Sequence, residues 1–95
     1  MNKELKKRLK TFFRNKPVLR AYIFGSEARS ESNKSSDVDI LVELDYSKPI
    51  GLEFVKMQLE LEELLSKKVD LLSSKGISKY IQPFIEKDKI LIYEK

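Results

Sequence analysis

Two aspartates, Asp37 and Asp39, stand one residue apart in the run Asp37-Val38-Asp39-Ile40-Leu41-Val42-Glu43-Leu44. Side chains alternate across a strand, so an extended backbone here presents both carboxylates on one face. Carboxylates so placed can ligate a hard cation such as Mg²⁺, or a close pair that clamps the attacking and leaving oxygens of an in-line displacement. Upstream, Gly25-Ser26 ends an apolar run. Glycine lets the backbone approach a phosphate with no Cβ in the way, and a helix starting at Ser26 would point free N–H groups at an anion. Arg29 follows one turn on, where a guanidinium can reach phosphate oxygens, although it also reads as an ordinary surface charge. Asp70, between Val69 and Leu71, joins the pair if its strand lies beside theirs. There it could complete a metal's shell and accept the proton of an attacking hydroxyl, whereas alone at a strand end it would simply face water.

The absent residue types narrow the chemistry. With no cysteine and no histidine, thiolate catalysis, imidazole bases, disulfides and soft-metal sites are excluded. What remains is carboxylate, lysine, arginine, tyrosine and hydroxyl chemistry, and carboxylates without soft ligands point again to Mg²⁺.

The elements that must hold these groups follow from periodicity. Leu5, Leu9, Phe12 and Phe13 recur at helical spacing over residues 3–15, and Asn15-Lys16-Pro17 stops that helix. Val18 to Phe24 is rich in β-formers and reads as a buried strand ending at Gly25. Residues 26–36 are polar and suit a short helix or turn followed by a loop. Asp37 to Leu44 is the clearest strand: Val38, Ile40, Val42 and Leu44 pack on the core, and the opposite face carries the aspartates. Residues 51–66 form a helix with a main apolar stripe of Ile50, Phe54, Met57, Leu61, Leu64 and Leu65. A second stripe, Leu52, Val55 and Leu59, would pack against another helix or else meet a partner. A short strand at 69–72, a helix over 77–87 with Pro83 as a kink or first turn, and a strand at 89–93 complete the chain. The pattern predicts one α/β domain over 1–95, a two-layer α+β arrangement in which helices pack on a sheet of about four strands.

Charge is unevenly spread about the net +4. Lys3, Lys6, Lys7, Arg8, Lys10, Arg14 and Lys16 face a single acid, Glu4, whereas Glu53, Glu60, Glu62 and Glu63 outnumber Lys56 on the long helix. A basic helix can attract nucleic acid or an acidic protein, but such a run is most often a solvated face, so direct nucleic-acid binding is not expected. No apolar stretch approaches a membrane span, and the charged N-terminus lacks the apolar core of a signal peptide. A cytoplasmic location is expected.

Gly25-Ser26-x-Ala28-Arg29 followed by Ser36-Asp37-x-Asp39 resembles the minimal nucleotidyltransferase branch of the DNA polymerase β-type nucleotidyltransferase superfamily. Val69-Asp70-Leu71 and the closing Lys89-Ile90-Leu91-Ile92-Tyr93 strand fall where that branch has them, so the likeness covers nearly the whole chain. Ser30 departs from it, because a glycine often follows the arginine there. The resemblance implies a polymerase β-like fold with a mixed sheet. It also implies two Mg²⁺ ions held by Asp37, Asp39 and the third catalytic carboxylate Asp70, and ATP contacts from Gly25, Ser26, Arg29 and Ser36. The implied reaction moves a nucleoside monophosphate to a hydroxyl and releases pyrophosphate. Many such proteins are antitoxins partnered with a HEPN-domain ribonuclease toxin, on which some adenylylate a tyrosine. A non-catalytic antitoxin acting by complex formation, or nucleotidyl transfer to a small molecule or RNA end, are the competing functions.

Overall fold

The computed structural model describes every residue except Met1, Ser32 and Lys34. Its elements run α1 (Lys3–Phe13), β1 (Val18–Phe24), α2 (Gly25–Ala28), β2 (Val38–Leu44), α3 (Glu53–Leu65), β3 (Val69–Ser73), α4 (Gln82–Asp88) and β4 (Ile90–Glu94), with a 3₁₀ turn at Ser74–Gly76. The strands form one mixed sheet of order β3-β2-β1-β4, in which β2 and β3 are parallel and the other pairs antiparallel. Among the described residues no helix is long and apolar enough to cross a membrane.

Each boundary has a local cause. Asn2 caps α1, its side-chain oxygen accepting from the amides of Glu4 (2.7 Å) and Leu5 (3.2 Å). Arg8 donates to the carbonyl of Leu64, satisfying a terminal acceptor of α3, and Ser66 ends that helix in the left-handed conformation at φ 52°. Pro83 neither kinks nor interrupts α4. It lies in the first turn, where its missing N–H costs nothing, so the helix begins at Gln82 rather than at the expected residue 77.

The sheet has two unequal faces. Leu9 and Phe13 of α1 and Met57 and Leu61 of α3 pack over Ala21, Ile23, Ile40, Val42, Val69 and Leu71 to make the main core. On the other face Ile85 of α4 closes over Phe24 and Leu41, with Tyr22, Leu72 and Ile77 around them. The aspartate face of β2 is therefore not simply open, since Leu41, two residues from Asp39, is only 3% exposed. The second stripe of α3 faces solvent: Leu52 is 76% exposed, with Val55 and Leu59 exposed beside it.

Phe13 is the largest fully buried side chain, with ring centroids 5.1 Å from Phe12 and 6.2 Å from Tyr93. Phe13→Ala should cost about 3–5 kcal/mol, a large share of a small domain's stability. Urea denaturation would show the midpoint falling with little change in slope.

Candidate active site

The site forms where β1 ends and β2 begins. Backbone pairing sets Asp39 beside Phe24 on one flank and beside Asp70 on the other. Because β2 and β3 are parallel and in register there, the Asp39 and Asp70 side chains leave the sheet on the same face. Asp37 lies just before β2, so the strand begins one residue later than the sequence pattern suggests. Asp70 and Asp37 are close enough to act on Asp39: its carboxyl is pushed above its ordinary range by burial first, then by Asp70 and then by Asp37, while Arg29 opposes the shift.

Gly25 supplies the opposite wall. Its φ is +71°, a left-handed value, and a Cβ built on it would collide with the Asp39 carboxylate. A bare backbone is thus required twice over, for conformation and for clearance. Ser26 is the second residue of the single turn of α2, and its carbonyl accepts from the amide of Glu31 at 2.8 Å, folding the following loop back on the turn. Ser36, at the loop's other end, accepts from the Asn33 amide through its hydroxyl at 3.0 Å. Lys67 pins the same loop by donating to the Asn33 carbonyl at 2.9 Å.

Arg29 reaches the site, as its influence on Asp39 shows, yet its guanidinium is held by two acids. Nε donates to Glu31 at 3.1 Å and Nη1 pairs with Asp88 at the end of α4. Nothing in the sequence marked Asp88 for this part, because an acid at a helix end is unremarkable until folding brings α4 beside α2. The turn of α2 buries Glu27 as well, a residue the sequence did not single out. Tyr46 lies just beyond the far end of β2, its ring under Lys75 at 4.3 Å.

Ser30 has φ +59°. The loop adopts a left-handed turn at the position where glycine was expected, so the departure changes the strain and not the path. Ser30→Gly should raise stability by about 1 kcal/mol by relieving that conformation. A thermal melt would test it, and an unchanged or lower midpoint would count against this account.

Do the residues suit a divalent cation? Among the described residues no group of three acidic, histidine or cysteine side chains is gathered into a ready-made metal cage. Mg²⁺ asks for less, binding through one or two carboxylates and taking its other ligands from phosphates and water. Mutually repelling carboxylates at Asp37, Asp39 and Asp70, one of them partly buried, are the donors such an ion would neutralise. The set fits.

Asp39 and Asp70 on neighbouring strands, with the Gly25 turn against Asp39, form a carboxylate site at one end of the mixed β3-β2-β1-β4 sheet. The chain belongs to the polymerase beta nucleotidyltransferase family, whose profile matches residues 6–95, and it is a nucleotidyltransferase of that family. A Methanocaldococcus jannaschii protein named for protein adenylyltransferase activity is 42% identical over 88 residues, covering 93% of this chain and 88% of that one. The protein adenylyltransferase MntA of Thermococcus cleftensis is 33% identical over 70 residues, covering 74% of this chain and 70% of its own length. Among solved structures, a toxin–antitoxin complex with AMP-PNP superposes with a TM-score of 0.79 at 17% identity, covering 95% of this chain and 73% of that one. The complex of tri-AMPylated Shewanella oneidensis HEPN toxin with its MNT antitoxin superposes at 0.64 and 17% identity, covering 97% and 68%. These structural matches establish a shared fold.

Proposed function

We propose that this chain is a cytoplasmic antitoxin that transfers AMP from ATP to a tyrosine hydroxyl of a HEPN ribonuclease toxin, with which it assembles. The observation that carries the reading is the pairing of Asp39 with Asp70 on one sheet face against the Gly25 turn, with Asp37 near enough to influence Asp39. Relatives named as protein adenylyltransferases and a fold shared with antitoxins of AMPylated HEPN toxins support the choice of acceptor.

In this reading the Gly25-Ser26 backbone and the Ser26 and Ser36 hydroxyls bind the triphosphate, and Arg29 leaves its acidic partners to take a share of phosphate charge. The tyrosine oxygen bonds to the α-phosphorus as the α–β bridging P–O bond breaks and pyrophosphate departs. Asp70 receives the hydroxyl proton. Two Mg²⁺ ions, when bound by Asp37, Asp39 and Asp70, would supply the charge neutralisation that lets these groups meet. The test is transfer of label from α-labelled ATP to a purified HEPN toxin. Mg²⁺-dependent labelling that maps to tyrosine is expected; an unlabelled toxin rejects the reading.

The exposed Leu52, Val55 and Leu59 face of α3 favours one alternative, a protein that neutralises its partner by binding alone. Neutralisation in cells by Asp37→Ala with Asp39→Ala would favour it.

A further inference from the structure

The second apolar surface of the molecule lies beside the carboxylates. Tyr80 is 88% and Phe84 70% exposed, with Ile81 partly exposed next to them. The chain winds helically into α4 from Ser78, whose carbonyl accepts from the amides of Ile81 (3.3 Å) and Gln82 (3.1 Å), and Ile85 donates to Ile81 at 3.2 Å. Along this path Ile77 and Ile85 turn inward onto Phe24 and Leu41, whereas Tyr80, Phe84 and Asp88, spaced by four, follow an adjoining flank. The Asp88 end of that flank is the one that holds Arg29. Of the residues on which α4 sits, Phe24 pairs with Asp39 across the sheet and Leu41 follows Asp39 by two residues along β2.

We propose that this flank of α4 is where the acceptor protein docks, through an apolar surface of that protein rimmed by acidic residues. The proposal rests on the protein-acceptor reading above and adds the surface and its chemistry. Exposed aromatics are the side chains that anchor protein interfaces, and they are costly to leave in water otherwise. Lys79 and Lys87 are exposed on the same short segment and call for acids opposite. Position decides between this surface and the α3 stripe. A partner seated on α3 meets the sheet from the face opposite the carboxylates, whereas one seated on α4 meets the face that bears them. Only the latter brings a hydroxyl to Asp39 and Asp70 by the direct route.

The experiment titrates a purified, unmodified HEPN toxin into the full chain and measures Kd alongside ATP binding. Tyr80→Ser with Phe84→Ser should weaken the complex at least tenfold, leaving ATP binding and the circular-dichroism spectrum unchanged. Lys79→Glu with Lys87→Glu should weaken it several-fold and flatten its salt dependence. Leu52→Ser, Val55→Ser and Leu59→Ser together should leave it intact. Wild-type affinity in the α4 aromatic variant, loss confined to the α3 variant, or no complex with the wild-type chain would each overturn the proposal. The two readings fail separately. Tight α4-dependent binding without AMP transfer sinks the enzymatic one alone, and transfer by the aromatic variant at the wild-type KM sinks the docking surface alone.

Discussion

Asp39→Asn is expected to abolish nucleotidyl transfer while making the protein more stable at neutral pH. The two effects have one origin. Burial, then Asp70, then Asp37 disfavour the charged form of Asp39 in the folded state, so its carboxyl lies above the ordinary value of 3.8. A group raised in this way binds more protons folded than unfolded. Its contribution is therefore fully present below the ordinary value and is lost as pH rises through the elevated one. At neutral pH the wild type carries that loss and Asp39→Asn does not, so the variant should melt a few degrees higher (roughly 2–6 °C). Its stability should also lack the decline that the wild type shows above the ordinary carboxylate range. Transfer should fall on the order of 10³-fold, because a neutral amide cannot balance the cationic charge that the phosphates require beside them. Mg²⁺ should raise the melting temperature of the wild type and leave that of Asp39→Asn unmoved. A variant less stable than wild type at pH 7 would show that the carboxylate is held by contacts that outweigh the repulsion. A variant with normal turnover would remove Asp39 from the chemistry.

The parts of this site that reveal themselves in the amino-acid sequence are those set by local rules. Alternation along β2 sends Asp39 to the face opposite Val38 and Ile40 whatever surrounds them, and glycine at residue 25 signals a turn by itself. Asp70 is a harder case: its partnership depends on β3 lying parallel to β2 in the register that opposes Asp39, and register is a property of the whole sheet. The Arg29–Asp88 pair is further removed, since two surface-type charges far apart in sequence carry no mutual signal until α4 settles beside α2. The same limit explains α4 itself. Ile77, Ile81 and Ile85 keep a helical period that suggests an earlier start, but Pro83 favours the first turn, and regular helix begins at Gln82. The exposed stripe on α3 shows periodicity reporting a helix face without reporting what covers it. Leu41 shows the reverse, an apolar residue on the aspartate face whose cover, α4, alternation along the strand does not name.

Gly25→Ala should impair transfer about 100-fold or more, far beyond what adding one methyl group to a turn ordinarily does. Two costs coincide at this residue. The left-handed backbone at φ +71° penalises any side chain by about 1–2 kcal/mol. The new Cβ would also occupy space held by the Asp39 carboxylate, so either the turn or the aspartate must move. Movement of either separates the phosphate-binding backbone from the carboxylates, and displacements near 1 Å are enough for losses of this size. Gly51 provides the control. It too has a left-handed φ, +45°, but a Cβ there meets nothing within 4 Å. Gly51→Ala should therefore lose stability through backbone strain alone and transfer AMP at nearly the wild-type rate per folded molecule. Equal loss of activity in the two variants would mean that the Gly25 effect is conformational only. Loss confined to Gly25→Ala would identify close approach between backbone and Asp39 as the feature the reaction depends on. Shortening the neighbouring side chain sharpens the distinction further. Gly25→Ala combined with Asp39→Ala should recover stability relative to Gly25→Ala, because the collision disappears, while transfer stays absent.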